Sequence, residues 1–390
     1  MLEEFRRCVG DLNLQEFYLW LKGVGIGFTP IVRLPRRITL FDDQVSIFAK
    51  LEYTNYAESI KARPFAMMYY LNMVIGRTSN KPKAIAATSG NFGLAGSYLL
   101  RGNFDFTVNM SEKAVKENVD LTVKLQKNKT RIETFSDRYC PTVGAKRGEA
   151  IAAARYVEKI DSEVINYDQY DDAGNPLSHY LTTAPELYHQ TSGRITHFVA
   201  SLGTCATMIG CGHYLREIIP EIKIVGLVPQ EGHHQLGLRS KDELGATRFY
   251  EEAKKLCDRI IEVSDRDAYN TMLDLWDAGI PGGISSGTNC YGALKVAEKL
   301  CDENKRGLIV ILIPDSCENY GSFLQGHLYS ITGIKFDGDI YKKFEKLKTK
   351  AQEERGEHTS LLNAGKNNLF ETYFEKACER FNRKNISEVP

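Results

Sequence analysis

Short β-branched apolar runs alternate with helical patterns along most of this chain, and that alternation limits its fold more than any other feature. "VSIFAKLE" precedes a helical pattern from about Lys61 to Ile75, and "KAIAATS" precedes one that starts near Asn91. "DFTVNM" is followed by "SEKAVKENVDLTVKLQ", and "TRIETFS" by "GAKRGEAIAAARYVEKI". "THFVAS", "IKIVGLVP" and "GLIVILIP" come later, with helical patterns between them. Strand, helix, strand at this spacing implies crossover connections, hence mostly parallel sheets flanked by helices. The runs are apolar almost without a break, as expected of strands buried on both faces. Helix starts carry caps: "SDRD", Ser264–Asp267, forms a capping box before "AYNTMLDLW". The fold class is α/β.

The bulk composition narrows the function. A chain of 390 residues holds two or three domains. Lysine plus arginine equals aspartate plus glutamate, 50 of each. That balance gives no support to nucleic acid or a membrane surface as partner. The N-terminal "MLEEFRRCVGDL" is too charged for a signal peptide. The longest apolar run, "GLIVILIP", is far shorter than a membrane span. The nine cysteines are scattered, with no C-x-x-C pair. A cytoplasmic protein with reduced thiols and no structural metal is the expectation.

Beyond "GHLYSITGIKF" the chain turns polar, and residues 336–390 read as a helical extension. One amphipathic helix presents Ile340, Phe344 and Leu347. A second presents Leu369, Phe370, Tyr373, Phe374, Cys378 and Phe381. "ERGEHTSLLNAGKNN" reads as the linker between them. Both apolar faces are expected to pack on the main body or on a sister subunit.

Four turns follow predicted strands, where open α/β sheets bind ligands. "TSGNFG", Thr88–Gly93, offers backbone N–H groups at a helix start, fit for a carboxylate or phosphate or simply for an N-cap. In "SLGTCATMIG", Gly203, Thr204 and Thr207 bracket a turn that runs into a helix and suits a phosphate. It has neither the Gly-Lys-Ser/Thr of a Walker loop nor a G-x-G-x-x-G. "PGGISSGTN" allows close approach of backbone to a ligand, or a capped helix start. "LIPDSCENY" ends the most apolar strand and places Ser316 at the sheet edge, as ligand group or as cap. Upstream, "NYAESIKARPF" carries Lys61, which could equally be a solvated lysine at a helix start.

Taken in order, "NYAESIKARPF", "TSGNFG", "DQYDDAGNPLSHYLTTAPEL", "GTCAT", "GISSG" and "PDSCENY" resemble the fold type II pyridoxal-phosphate enzymes, and within them the cysteine synthase and cystathionine β-synthase group. The resemblance covers about residues 28–325. It implies two lobes, each with a mostly parallel sheet. The expected division assigns residues 45–175 to the lobe with the cofactor lysine and a mobile substrate loop. Residues 15–44 and 176–335 form the lobe with the phosphate loop.

The resemblance also implies roles. Lys61, with Ser59 beside it, is the lysine that forms a Schiff base with pyridoxal phosphate. Gly203, Thr204, Cys205, Ala206 and Thr207 are the phosphate cradle, with Cys205 and Ala206 departing from the glycine-rich form. Asn91 faces the ring hydroxyl, and Gly283 and Ser285 flank the ring. Ser316 faces the pyridine nitrogen, where a serine leaves the cofactor a weaker electron sink than an aspartate would. Thr88, Ser89 and Gln169 grip the substrate carboxylate. Phe92 stands where relatives often have threonine, and Ala62 where they usually have aspartate. Arg239 in "LGLRS" matches an arginine of relatives that use O-phosphoserine or a bulky sulfur donor, although some relatives with it use O-acetylserine. Adjacent His233 and His234 point apart, so they read as loop polarity, and Cys205 and Cys317 read as packing residues.

The implied activity is β-replacement on O-phosphoserine or O-acetylserine through an aminoacrylate, with sulfide or another sulfur donor giving cysteine. Replacement with an amine, amino-acid or thiol nucleophile is the alternative, of the 2,3-diaminopropionate or cystathionine type. A serine or threonine dehydratase and a non-catalytic scaffold are further alternatives. The expected partners are a small amino-acid substrate and a second copy of the chain in a homodimer.

Overall fold

The computed structural model describes residues 1–10, 12–39 and 44–363. Its strands are β1 (Ile31–Arg33), β2 (Val45–Leu51), β3 (Lys83–Ala87), β4 (Asp105–Ser111), β5 (Arg131–Phe135), β6 (Tyr139–Cys140), β7 (Ala145–Lys146), β8 (Val164–Asn166), β9 (His197–Ser201), β10 (Lys223–Pro229), β11 (Arg259–Val263) and β12 (Gly307–Ile313). A six-stranded sheet has the order β1-β2-β12-β9-β10-β11, and a four-stranded sheet the order β5-β4-β3-β8. Every neighbouring pair in both sheets is parallel except β1 with β2. The short hairpin β6–β7 stands apart.

The register places Ile47 opposite Ile309 and Ala49 opposite Ile311. These side chains share a core with Trp276, Tyr269 and Phe323 on one face of the larger sheet. A second core runs between the lobes and contains Phe17, Phe65, Phe92 and Phe198. In it the Phe65 ring lies 4.7 Å from Tyr167 and 5.0 Å from Phe92. Every apolar run quoted above forms a strand, and Ser264 caps the helix Asp265–Asp277 by accepting from Asp267 N.

Two boundaries differ from the sequence reading. Strand β2 lies in the six-stranded sheet, so the smaller sheet begins only at Lys83 rather than near residue 45. The cause is pairing: β2 matches β12 along seven residue pairs, from Val45–Gly307 to Leu51–Ile313. The expected linker is the second departure. Its first ten residues, Glu354–Asn363, continue the helix Gly338–Asn363. That helix buries Phe344, Leu347, Ala351, His358 and Leu362. Phe344 stacks near Trp276 at 5.9 Å, and Ile340 rests partly buried on the same core. The second amphipathic pattern, residues 369–381, lies outside the described residues. Among the described residues no helix is long and apolar enough to cross a membrane.

The end of β2 carries a buried charge cluster. Lys50 Nζ meets Glu186 at 2.7 Å, Thr29 O at 2.9 Å and Gln190 Oε1 at 2.9 Å. Arg63, in the first turn of the helix Ala62–Val74, forks onto Glu52 at 2.7 and 2.8 Å and onto Glu186 at 2.7 and 2.8 Å. Two cations face two carboxylates, with Thr29 and Asn55 donating to the remaining oxygen lone pairs of Glu52. Burial alone would raise the Glu52 carboxyl, but Arg63 and Lys50 pull it down to about 2.

Removing one cation from such a cluster leaves a buried carboxylate unpaired. Arg63→Met is therefore expected to lose about 3–5 kcal/mol of stability at pH 7, measured by urea unfolding. In the wild type the Glu52 share is present in full above the ordinary carboxylate range, near pH 4.5, and is lost as pH falls through about 2.

Candidate active site

Three of the four motif-bearing turns, those after β3, β9 and β12, each end a parallel strand at one edge of its sheet, whereas "PGGISSGTN" follows the helix Asp265–Asp277 rather than a strand as expected. The Lys61 segment is laced to the loop after β12. Ile60 N donates to Pro314 O at 2.8 Å, and Ser59 bridges Asp315. The "GISSG" turn joins them, since Gly283 N donates to Asp315 O at 3.1 Å and Cys317 N to Pro281 O at 2.8 Å. A cleft of about 1070 Å³, partly open to solvent, lies between the lobes over these three segments.

Lys61, Thr88, Ser89, Asn91, Gln169, Gly203, Thr204, Cys205, Thr207, Arg239 and Ser285 all line it. Thr88 also builds the turn: its Oγ1 accepts from Gly90 N at 2.9 Å and from Gly93 N at 3.1 Å. A Cβ on Gly93 would come within 2.7 Å of the Thr88 methyl, so only glycine fits. Gln169 Nε2 donates to Ala87 O at 2.9 Å. Cys205 has φ 66, a left-handed kink that starts the helix Ala206–Ile218 and turns its N-terminus to the cleft. The Thr207 hydroxyl is held 3.2 Å from His179 Nε2, and Thr183 holds the other ring nitrogen at 2.9 Å. Burial keeps His179 well below the usual histidine range, so this ring is neutral.

Three expected residues do not reach the cleft. Ala206 faces the protein body and is 1 % exposed. Gly283 backs the wall, where a Cβ would sit 2.2 Å from Asp315 Oδ1. Ser316 is fully buried and its hydroxyl has no partner. Its backbone is extended, so its side chain points opposite to that of Asp315, and it is Asp315 that lines the cleft. The serine at this wall is Ser285.

The sequence reading also missed several lining residues. Asp315 Oδ2 accepts from Asn91 Nδ2 at 2.6 Å and from the Tyr320 hydroxyl. Arg147 enters from the loop after β7, and Tyr170 sits beneath Arg239. Asn289 Oδ1 accepts from Ser201 N at 2.8 Å while its amide donates to Leu312 O at 2.9 Å, which ties β9 to β12 beneath the cleft. A "PDS" run written with attention to strand alternation would have pointed to Asp315. Tyr170 and Asn289 lie in quoted motifs whose other residues were singled out, and Arg147 carried no local signal. His233 and His234 do diverge: one faces Glu243 at 3.4 Å and the other Glu117 at 3.2 Å.

Electrostatics set the amine apart. Burial lowers the Lys61 amine to about 8, with the Arg239 guanidinium acting in the same direction. Burial raises the Asp315 carboxyl to about 6, and Glu318 pushes it the same way against the hydrogen bonds from Tyr320 and Asn91. The residues present fit pyridoxal phosphate. An amine that loses its proton near neutrality stands on one wall, and a helix N-terminus with two hydroxyls stands on the other.

Residues 23–315 match the family model described as "Pyridoxal-phosphate dependent enzyme". The chain is 30% identical to cysteine synthase B of Escherichia coli (strain K12) over 320 residues, 79% of this chain and 98% of that one. It is 30% identical to cystathionine beta-synthase of Apis mellifera over 310 residues, 76% of this chain and 59% of that one. The crystal structure of O-ureido-L-serine synthase matches with a TM-score of 0.68 and 25% identity, over 82% of this chain and 97% of that one.

Cofactor capture by the apo-protein, trapped with borohydride and located by peptide mass, is expected to label Lys61. Its rate should rise with a midpoint near pH 8, because only the neutral amine reacts. Lys61→Ala should take up no label. With the family match and the amine-bearing cleft in agreement, the chain belongs to the pyridoxal-phosphate-dependent enzymes, in the cysteine synthase and cystathionine β-synthase group.

Proposed function

We propose that this chain replaces the β-substituent of an activated serine, with O-phosphoserine as the activated substrate and sulfide as the nucleophile. The observation that carries the choice of ester is Arg239. Its guanidinium is buried and lines the same cleft as Lys61. It donates to the Tyr170 hydroxyl at 3.1 Å and lies 5.0 Å over that ring, but among the described residues no carboxylate pairs with it. A buried guanidinium without a counter-ion favours an anionic ligand, and its fork matches a phosphate. Arg147 supplies a second guanidinium from the other lobe, balanced by Glu243. The similarity to cysteine synthases supports sulfide.

Lys61 and Asn91 would hold the cofactor at the ring, and Gly203, Thr204 and Thr207 at the phosphate. When bound, pyridoxal phosphate draws electrons from the α-carbon of an amino acid and acidifies its α-proton. Lys61 Nζ is placed to take that proton, and an amine near 8 works as a base close to neutral pH. The Thr88–Asn91 turn presents backbone N–H groups and hydroxyls to the substrate carboxylate. Asp315 and Tyr320 hold the Asn91 amide in place.

Steady-state kinetics with two esters test the reading. Arg239→Met should lower kcat/KM for O-phosphoserine by about 10- to 100-fold, the loss of one charge-assisted hydrogen bond. With O-acetylserine the same variant should change by less than about twofold. Equal losses with both esters would remove the phosphate assignment. Product mass with sulfide, thiols and amino acids in turn identifies the nucleophile.

A further inference from the structure

The helix Gly338–Asn363 lies beyond the family match, yet it reaches the loops that carry the site. It crosses two short turns, Glu52–Thr54 and Cys317–Asn319. The first leads to Lys61 and the second follows Asp315. Glu354 accepts from the Tyr53 hydroxyl at 2.6 Å, and His358 Nε2 lies 2.9 Å from Gly27 O. Arg355 makes the central contacts. Its Nε donates to Tyr53 O at 3.2 Å, Nη2 lies 3.1 Å from Glu318, and Nη1 lies 3.6 Å from Glu58.

Glu58 and Glu318 are two buried carboxylates, with side chains 6% and 1% exposed, held by the same two cations. The other cation is Lys124, from the helix Val119–Lys127 of the smaller lobe. Its ammonium contacts Glu58, lies 2.8 Å from Glu318 and 2.7 Å from Asn319 Oδ1. Tyr98 donates to Glu58 at 2.7 Å. Glu58 also has φ 65, a conformation that a non-glycine residue keeps only when its surroundings hold it there. It stands three residues before Lys61. On the other side, Asn319 Nδ2 reaches Asn91 Oδ1 at 3.4 Å. The cluster therefore touches both the lysine loop and Asn91, which lines the cleft.

We propose that Arg355 is a positioning residue of the active site. By balancing Glu58 and Glu318 it fixes the loops of Lys61 and Asp315, and the C-terminal helix is thereby part of the site's scaffold. Without it, Lys124 alone would balance two adjoining carboxylates. Burial and Glu318 already push the Glu58 carboxyl up, and with Arg355 gone their unfavourable contact would grow, shifting the strained turn at Glu58 and Lys61 with it. The proposal rests on Lys61 being the amine that meets the cofactor.

The experiment measures the rate of borohydride-trapped capture of pyridoxal phosphate on Lys61 in the full chain, with urea unfolding run in parallel. Arg355→Met should slow capture by about tenfold or more, since misplacing a reacting group by an ångström costs up to about a hundredfold. Arg355→Lys should restore most of the rate. So should the double variant Arg355→Met/Glu318→Gln, in which one of the two repelling charges is gone. The exposed Glu353→Gln on the same helix serves as the control. If Arg355→Met does not fold, the double variant still decides: capture near the wild-type rate supports the charge-balance role, and slow capture overturns it. Capture by Arg355→Met at the wild-type rate, or a deficit that neither Lys nor the Glu318→Gln partner relieves, also overturns it. Absence of label on wild-type Lys61 would instead defeat the reading of the lysine itself.

Discussion

The fork of Arg63 onto two buried carboxylates is the constraint from which the site is built. Glu52 stands at the end of β2 in the larger sheet, and Glu186 on the helix Ala184–Gln190. Arg63 is two residues past Lys61. A guanidinium that makes four short hydrogen bonds in a rigid plane has very little freedom of position. The helix start that bears Lys61 is thus anchored to the larger sheet, although most of that helix packs into the core of the smaller lobe. Lys50 completes the balance of charge at the cost of its own solvation, and burial lowers its amine accordingly. A hydrophobic replacement of the whole cluster could match its stability, but it would not orient the next turn of chain so narrowly.

From that anchor the cleft is assembled by backbone rather than by side chains. The Ile60–Pro314, Gly283–Asp315 and Cys317–Pro281 hydrogen bonds lace three separate turns into one wall. Glycines sit where a side chain would break it. A Cβ on Gly283 would collide with Asp315, and one on Gly203 would come within 2.9 Å of Gly237 O. The opposite wall is the kinked start of the helix Ala206–Ile218. The two lobes then meet over the cleft through paired charges, Arg147 with Glu243 and Lys124 with Glu318.

Most of the strand order of events was legible in the chain because strands buried on both faces are written as unbroken apolar runs. The two-sheet division was less legible. Strand β2 looks like the other strands, and nothing local says which sheet it joins; only its pairing with β12 does. Lys61 was legible through the motifs around it, and so were Thr88 to Asn91 and the phosphate-type turn. Ser316 and Asp315 were confused because neighbours in extended backbone face opposite sides, and motif matching does not record which side is lined. Arg147 reaches the cleft from a residue in no quoted motif, through the loop after β7, and Tyr170 from a motif in which only its neighbour Gln169 was singled out. The helical tail was read as interrupted because its polar run lacks an apolar stripe. That run is held by one buried apolar residue, Leu362, and by single polar anchors, Arg355 and His358, whose partners lie some three hundred residues away in the sequence.

The charges of the cleft act on one another in a way that links selection to proton transfer. Lys61 is lowered first by burial and then by Arg239, while Asp315 opposes that shift. Among the described residues no carboxylate pairs with Arg239, and its field helps lower the amine, with Cys205 and Asp315 acting against it. An anionic group bound at Arg239 would cancel that field, and the amine would then hold a proton more firmly than in the empty cleft. A neutral ester would leave the field in place. On the proposed reading the same guanidinium would favour an anionic substrate twice, once by direct hydrogen bonds and once by releasing Lys61 from its field. Asp315 is engaged otherwise, since Asn91 and Tyr320 both donate to its Oδ2. Its carboxylate holds Asn91, and on the proposed reading the lysine is the group that takes the proton.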